Sequence, residues 1–247
     1  MQSPRSSRCG QGFTLVELAM VLLIIAILIG GLLIPLSAQL DMRNRAETDR
    51  TLAEAREALL GYAAANGRLP CPATTASNGR ASPEMCVGGQ CVCTNPWDGL
   101  LPAVTLGLHP TDGQGYAIDP WGNRIRYAVT PANSSAFTST SLRTAVQNFS
   151  LGTLLPDLHV CASATGITAN DCGASDTLSS NAVAILIATG RNGPTGHGAD
   201  EAANLDPNRV FVSHTPAADG AAGGEFDDVV SWLSPYILYS RMIASTP

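Results

Sequence analysis

The sequence has little charge and none of the common catalytic motifs. Charged residues make up 14% and aromatic residues 5% of the 247 residues, and no lysine occurs. A His-Glu-x-x-His pair, a Gly-x-Ser-x-Gly turn and a phosphate-binding glycine-rich loop are all missing, which argues against metalloproteases, serine hydrolases and nucleotide-binding enzymes. We therefore expect a protein that is not an enzyme. The histidines are isolated in loop-like contexts, where a surface position is the usual reason for a histidine: His109, His159, His197 and His214.

Basic residues are too few for a nucleic-acid partner. The chain has 14 basic and 20 acidic residues and a formal net charge of −6. Because nucleic-acid affinity comes largely from basic contacts to phosphates, we expect no nucleic acid among its partners.

One stretch near the start contains no charge at all. From Leu18 to Ile34 no charged or strongly polar side chain occurs. A helix rises about 1.5 Å per residue, so this stretch covers most of a hydrocarbon core of roughly 30 Å. The acidic Glu17 lies at its beginning, where a carboxylate is costly in a membrane and indicates a function. The alternative is an ordinary signal anchor with Glu17 in the headgroup region.

The residues around Glu17 resemble the signal of a known family. Gly12-Phe13-Thr14-Leu15-Val16-Glu17 is similar to the class III signal of type IV pilins and of type II secretion pseudopilins. The resemblance implies that a prepilin peptidase cuts between Gly12 and Phe13 and that Phe13 becomes N-methylated. It also implies that Glu17 acts in filament assembly. There its carboxylate can pair with the α-amino group of a neighbouring subunit, because an unpaired buried charge is expensive.

The leader, residues 1–12, indicates the orientation of the chain. It carries Arg5 and Arg8 and no acidic residue. By the positive-inside rule the leader is cytoplasmic, and the remainder lies on the far side of the membrane. We expect a single-pass inner-membrane protein with a periplasmic globular domain, which becomes part of a filament after assembly. Removing the leader leaves 12 basic and 20 acidic side chains, a sum of −8.

The cysteine count agrees with export. Cys9 lies in the leader, and an even number of cysteines in an exported domain favours disulfides. We expect pairing within two sequence clusters, with Cys161–Cys172 as the clearest pair. Cys91 and Cys93 are too close to bond to each other, so each should reach Cys71 or Cys86, and the connectivity stays open. A zinc site is the alternative for the first cluster, although the paired Cys-x2-Cys spacing is missing. The six remaining cysteines are Cys71, Cys86, Cys91, Cys93, Cys161 and Cys172.

Hydrophobic patterning divides the chain into four segments. After the leader, residues 13–35 form the transmembrane and assembly helix, in which Pro35 should introduce a kink or an interruption. Residues 36–66 continue as a periplasmic helix, and residues 67–247 form a periplasmic pilin-like globular domain. The helical spacing of four apolar residues predicts the face of this helix that packs on the domain: Leu52, Ala55, Leu59 and Ala63.

The globular domain should combine helices with a small antiparallel sheet. Asp119-Pro120-Trp121-Gly122-Asn123 has turn chemistry, and residues 124–129 alternate as a half-buried strand does. Residues 182–188 predict a central buried strand, and Val210–Val212 a short one. The turn with its following strand, and the buried strand followed by Asn192-Gly193, resemble motifs of pseudopilin domains. The predicted fold is therefore α+β, with a long membrane-spanning helical spine packed on a small antiparallel sheet with disulfide-bonded loops.

Two further expectations concern the polar and acidic residues of the second half. Residues 130–150 are rich in Ser, Thr and Asn and should be exposed. Asp227 or Asp228 could cap a helix that runs towards Met242, although Pro235 complicates it.

Calcium is the one metal that the sequence suggests. Some pseudopilins carry a calcium site in a C-terminal loop, and calcium requires six to eight oxygen ligands. The spacing here matches no EF-hand, so we assign no ligand, and solvated acidic loops are the alternative. The main prediction is that the protein has no cofactor. The acidic residues concerned are Asp200, Glu201, Asp206, Asp219, Glu225, Asp227 and Asp228.

The sequence thus predicts a structural pilin-like subunit, a minor pseudopilin or minor pilin. Its partners should be the prepilin peptidase, other pilin or pseudopilin subunits and an inner-membrane assembly platform, in a type II secretion or type IV pilus filament. Two alternatives are an adhesive or ligand-binding pilin, and a membrane-anchored periplasmic enzyme that uses a prepilin-type signal.

Overall fold

A computed structural model describes residues 14–148, 150–195 and 198–245, without the side chains of residues 29–38 and 151. The chain divides into two compact units, Met1–Arg43 and Asn44–Pro247. The cleavage and methylation residues Gly12 and Phe13 lie outside the described residues.

The longest element is helix α1 (Leu15–Asn66). It continues through Pro35, where we expected a kink or an interruption, although proline supplies no N–H to the helical ladder. The large apolar side chains between Leu15 and Leu28 are exposed, Leu15 to 85% and Ile27 to 66%.

In the described part of the chain, no helix is both long enough and apolar enough to cross a membrane.

Within the second unit, α1 packs by the face that the spacing predicted. Leu52, Ala55, Leu59 and Ala63 are all at most 1% exposed. The side chains belong to one cluster with Tyr127 and other core residues of the domain. This part of the helix is therefore a component of the globular core.

The second unit also contains short helices and strands. The further helices are α2 (Ala103–Leu106), α3 (Ala132–Ser135), α4 (Ser141–Gln147), α5 (Ala199–Leu205) and α6 (Pro235–Ala244). The strands are β1 (Gly99–Leu100), β2 (Arg126–Val129), β3 (Leu158–Cys161), β4 (Thr177–Ala182), β5 (Ala184–Ala188), β6 (Val210–Val212) and β7 (Val229–Leu233). Short 3-10 turns cover Ala136–Thr138, Leu151–Thr153 and Gly193–Thr195.

These strands form two sheets. The first is antiparallel in the order β1-β2-β5-β7, with Ala128 opposite Ile185 and Ile185 opposite Trp232. The second has the order β4-β3-β6, and its β3–β6 pair is parallel, with Val160 opposite Phe211. The α+β prediction with an antiparallel sheet is confirmed, and the parallel pair adds to it.

Strand β5 is buried on both faces. Leu186 joins the cluster that contains Leu59 of α1, while Ile185 and Ile187 join a cluster with Phe211 of the other sheet. All five residues of β5 are buried, which explains why it is a continuous apolar run rather than an alternating one.

The structure corrects the expectation of a helix starting at Asp227 or Asp228. The residues after Asp228 form β7, which pairs with β5. The helix α6 begins later, with Ser234 before it and Pro235 in its first turn. Proline suits this position because the first N–H groups of a helix have no partner within the helix.

The expectation that residues 130–150 are exposed is wrong in part. Phe137 and Leu142 are fully buried. The polar residues between them satisfy backbone groups: the Thr138 hydroxyl donates to the Cys91 carbonyl at 2.7 Å. The polar residues of this stretch are thus of two kinds: Thr138 is buried and bonded to a loop, whereas Thr140 and Ser141 are exposed.

The six cysteines of the second unit form the disulfides Cys71–Cys93, Cys86–Cys91 and Cys161–Cys172. Each bond joins residues of the same sequence cluster, so the disulfide-bonded loops expected from the cysteine count are present.

Candidate functional site

The first candidate is the beginning of α1, where Thr14 caps the helix. The Thr14 hydroxyl accepts a hydrogen bond from the Glu17 backbone N–H at 3.2 Å, and the Thr14 carbonyl accepts one from Leu18 at 3.1 Å. Thr and Glu three residues apart form the sequence pattern of a capping box. Glu17 thus lies in the first turn, where the helix dipole favours a negative charge.

Around Glu17 the helix exposes apolar side chains on every side. Leu18, Met20 and Leu22 are each 58–61% exposed, and Val21 and Ile25 are exposed to 47% and 44%. A helix that is hydrophobic all round is one that other helices or lipid cover. Glu17 itself is exposed.

The second candidate is a group of carboxylates between α5 and β7. One oxygen from each of Glu201, Asp227 and Asp228 lies within 4.8 Å of the others. Glu201 is 1% exposed, Asp227 9% and Asp228 5%. Buried carboxylates this close repel one another unless protons, hydrogen bonds or a cation compensate.

Hydrogen bonds hold each carboxylate in place. Glu201 Oε1 accepts the Asp227 backbone N–H at 2.8 Å, and the Asn192 amide donates to both Glu201 oxygens. The Asn204 amide donates to Asp228 Oδ2 at 2.8 Å.

Asp227 is the member of the group with an unsatisfied atom. Its Oδ2 accepts the backbone N–H groups of Arg191 and Asn192, at 2.9 and 3.3 Å. Its Oδ1 is buried and has no hydrogen-bond partner among the described residues. Gly190 lies directly against Asp227 Oδ1. Its φ is +62°, and a Cβ at this position would lie 2.1 Å from that oxygen. Only glycine fits there, which explains the Gly that follows the buried strand.

Burial raises the pKa of both aspartates. The pKa of Asp228 rises to about 7, first because burial disfavours its charged form and then because Glu201 and Asp227 repel it. Hydrogen bonding by Asn204 and the charge of Arg126 oppose this rise. The pKa of Asp227 is also raised, mainly by burial.

The group has the donor chemistry of a hard-cation site. Carboxylate oxygens are the ligands that calcium prefers, and the orphaned Oδ1 of Asp227 is an available one. Three carboxylates supply fewer than the six to eight oxygens that calcium takes, so carbonyls or water would complete the shell. Of the acidic residues that the sequence singled out, the structure gathers Glu201, Asp227 and Asp228.

Two of the other acidic residues, Asp200 and Glu225, have separate roles. Asp200 accepts the backbone N–H of Ala164 and contacts His214 Nε2 at 3.1 Å, and the His214 ring stacks on Phe226 at 3.9 Å. Glu225 pairs with Arg191 at 3.5 Å. These are contacts that hold loops together.

The comparison with protein families agrees with the first candidate. A family model described as the prokaryotic N-terminal methylation motif matches residues 7–33. The matched segment includes Gly12, Phe13 and Glu17 and ends within α1. Neither a curated protein nor a solved structure matches the chain.

Proposed function

We propose that this chain, which carries the prepilin-type signal of type IV pilins and pseudopilins, is a structural subunit of a filament. It is a minor pseudopilin or minor pilin of a type II secretion or type IV pilus system. The observation that carries the proposal is the methylation motif over residues 7–33, with glycine before phenylalanine and Glu17 in the first helical turn.

The motif indicates how the chain matures. A prepilin peptidase removes residues 1–12 and the new N-terminal Phe13 is methylated. Residues 13–35 hold the mature protein in the inner membrane, residues 36–66 continue into the periplasm and residues 67–247 form the periplasmic domain. The exposed apolar side chains at the start of α1 support the membrane location, and the three disulfides support an oxidising compartment.

Glu17 gives the apolar helix a preferred axial position among its neighbours. When apolar helices of pilin or pseudopilin subunits bundle, the carboxylate enters a region of low dielectric. Pairing with the α-amino group of a neighbouring Phe13 then removes the penalty of an unpaired charge, and it does so in one register. The assembly platform of the inner membrane supplies the subunits to the bundle.

Intact-mass measurement and N-terminal sequencing of the full chain from membranes test the proposal. Cells with and without a prepilin peptidase are compared. We expect a species that begins at methylated Phe13 only where the peptidase is present. A chain that keeps its leader in both cells, or that is cut after the apolar run, contradicts the proposal.

A further inference from the structure

Strand β7 forms one edge of the first sheet, beside β5 and with no other strand of the described chain next to it. It pairs with β5 along its whole length, from Val229 opposite Ala188 to Leu233 opposite Ala184, without a shift in register. About half of the N–H and C=O groups of an edge strand point away from its neighbour. From Val229 to Trp232, these outward groups form no hydrogen bond with any residue that the structure describes.

The other edge strands of the two sheets are protected against pairing, and β7 is not. Strand β1 has only two residues, and β6 has three and packs against α5. Strand β4 is mostly polar and exposed, and its pairing with β3 shifts in register. Native edge strands avoid additional pairing by such short lengths and bulges, or by charges and prolines. Strand β7 has five residues, an even register and no charge, proline or glycine.

The side chains of β7 extend the apolar layers on both faces of the sheet. Val229 packs against the cluster that contains Leu59 of α1, whereas Val230 and Trp232 pack against the cluster that contains Phe211. All three β7 side chains are only partly buried. A strand added beside β7 covers them further on both faces, while its backbone pairs with the outward N–H and C=O groups. The free edge therefore fits an extended segment with apolar side chains.

The charges around β7 specify the partner further. From Val229 to Ser240 the chain has no charged residue, and the acidic residues Asp227 and Asp228 directly precede this stretch. A cation already contacts this end of the strand, because Arg45 Nη2 of α1 donates to the Asp227 carbonyl at 3.3 Å. A partner segment that is uncharged along β7 and basic near Asp227 complements these charges.

We infer that the free edge of β7 binds an extended segment of a different subunit of the filament, which adds to the first sheet as a further strand. The segment is apolar along β7 and carries a basic residue at the end near Asp227. The inference rests on the proposed filament function and names how one neighbour is bound. Because β7 has a single free edge, it accepts one strand and the contact does not propagate, which suits a minor subunit.

A second copy of this chain does not supply the strand through its own β7. Two identical edges pair in antiparallel orientation about a two-fold axis perpendicular to the sheet. Leu52, Leu59 and Ala63 of α1 pack on one face of this sheet, so this part of the helix lies along it. The two-fold axis would point the helices of the two copies in opposite directions. Under the proposed function both copies are anchored in one membrane, where their helices point the same way.

Hydrogen exchange of the full chain, measured by mass spectrometry, tests the strand pairing. Assemblies enriched through an affinity tag are compared with the unassembled chain in the same detergent. The outward amides of Val229–Leu233 exchange rapidly in the unassembled chain, and we expect their exchange to slow at least about tenfold in the assembly. The peptide that covers Thr177–Ala182, the exposed edge strand β4, is the matched control and should exchange equally in both samples.

Photo-crosslinking identifies the occupant of the edge. A photoreactive phenylalanine replaces Ser231, in the middle of β7, and the full chain is expressed with its prepilin peptidase and assembly platform. We expect an adduct with a different pilin-type subunit, joined within an uncharged segment that has a basic residue at one end. The same probe at Ser180 of β4 should give no such adduct. Adducts with a second copy, or within one copy, overturn the inference.

Substitution at the edge provides a further test. Ser231→Lys places a charge on β7, the device by which native edge strands resist pairing, and we expect about tenfold less of this subunit in assemblies. Ser231→Thr keeps a residue that suits a strand and should assemble as wild type does. Ser180→Lys makes the same change on β4 and should also assemble normally. A Ser231→Lys chain that is folded by circular dichroism and assembles like wild type contradicts the pairing.

The outcomes separate this inference from the proposed function. Assemblies that form while the β7 amides exchange as fast as in the unassembled chain overturn the inference and leave the proposed function intact. A wild-type chain that keeps its leader and joins no assembly overturns both.

Discussion

At the residue scale, Glu17 and Asp228 are carboxylates in opposite surroundings. Glu17 is exposed in the isolated chain, in the first turn of a helix whose neighbouring side chains are apolar. Asp228 is 5% exposed and lies beside two other carboxylates. The first becomes costly only when lipid or other helices surround it, whereas the second is costly in the folded monomer.

Replacing Glu17 should separate membrane insertion from assembly. In Glu17→Ala the helix becomes more apolar, so we expect normal amounts of processed protein in membranes. The assembled fraction should fall at least about tenfold, because the proposed pairing with the neighbouring α-amino group is lost. Shearing and immunoblotting measure the filament, and fractionation measures the membrane pool. Glu54→Ala, an exposed position of the same helix, is the control. Wild-type filament yield from Glu17→Ala would remove the proposed role.

Asp228 should make the protein less stable as the pH rises. Its pKa is about 7 in the folded chain and about 4 when unfolded, so the folded state binds more protons between these values. The contribution of Asp228 to the stability of the folded state is most favourable below about pH 4 and is lost as the pH rises towards 7. From pH 5 to pH 8 we expect the free energy of unfolding of wild type to fall by about 2–3 kcal/mol because of Asp228. The fall in Asp228→Asn should be smaller by this amount.

Guanidinium unfolding of the full chain in detergent, with a chelator present, measures this difference. Asp219→Asn, at an exposed loop position, is the control and should follow wild type. A pH dependence of Asp228→Asn equal to that of wild type contradicts the assignment.

At the scale of elements, the loops that lead from α1 to the first sheet depend on covalent bonds. Cys71–Cys93 joins residues 22 positions apart and Cys86–Cys91 joins residues 5 apart. The longer bond fixes the start of the loop region to its end, and the shorter one closes only the hairpin of residues 86–91. Their contributions to stability should therefore differ.

Removing the longer disulfide should destabilise the domain more than removing the shorter one. In the chain-entropy description the stabilisation grows with the logarithm of loop length, which gives a difference of about 1 kcal/mol here. We expect Cys71→Ala/Cys93→Ala to unfold at a lower guanidinium concentration than Cys86→Ala/Cys91→Ala. Both variants are measured without reductant, with thiol titration to verify the remaining bonds. Equal midpoints would contradict this account.

At the scale of the whole molecule, the apolar side chains are divided between two units. The described hydrophobic clusters lie between Leu52 and Met242, within the unit Asn44–Pro247. The exposed apolar side chains of α1 between Leu15 and Leu28 belong to the other unit. The first set stabilises the fold, and under the proposed function lipid or other subunits cover the second set.

A chain that begins at Asn44 should therefore fold and stay soluble without detergent. It retains Leu52, Leu59 and Leu60, which are at most 1% exposed in the core. A chain that begins at Arg68 loses these residues and should aggregate, since each buried leucine contributes about 2–5 kcal/mol by comparison with alanine. Size-exclusion chromatography compares the aggregation of the two oxidised chains, and circular dichroism compares their folding. Aggregation of the longer chain, or cooperative folding of the shorter one, contradicts the division.

The parts that the sequence predicted are those specified by neighbouring residues. The apolar face of α1, the buried strand β5 and the prepilin-type signal each depend on a short continuous pattern, and the structure or the family comparison agrees with each. The helix expected at Asp227 was wrong because the same local pattern, acidic residues before apolar ones, also suits an edge strand that pairs with β5.

The sequence by itself determined the helical spine, the central strand, the signal and the sign of the charge, because hydrophobic period and composition act locally. Only the tertiary structure decided which carboxylates meet, since Glu201 and Asp227 are 26 residues apart and their contact depends on α5 lying beside the segment that precedes β7. It also decided the partners of Cys71 and Cys86, and it placed β7 at the edge of the first sheet. Such contacts depend on how distant segments pack, which no single stretch of sequence specifies.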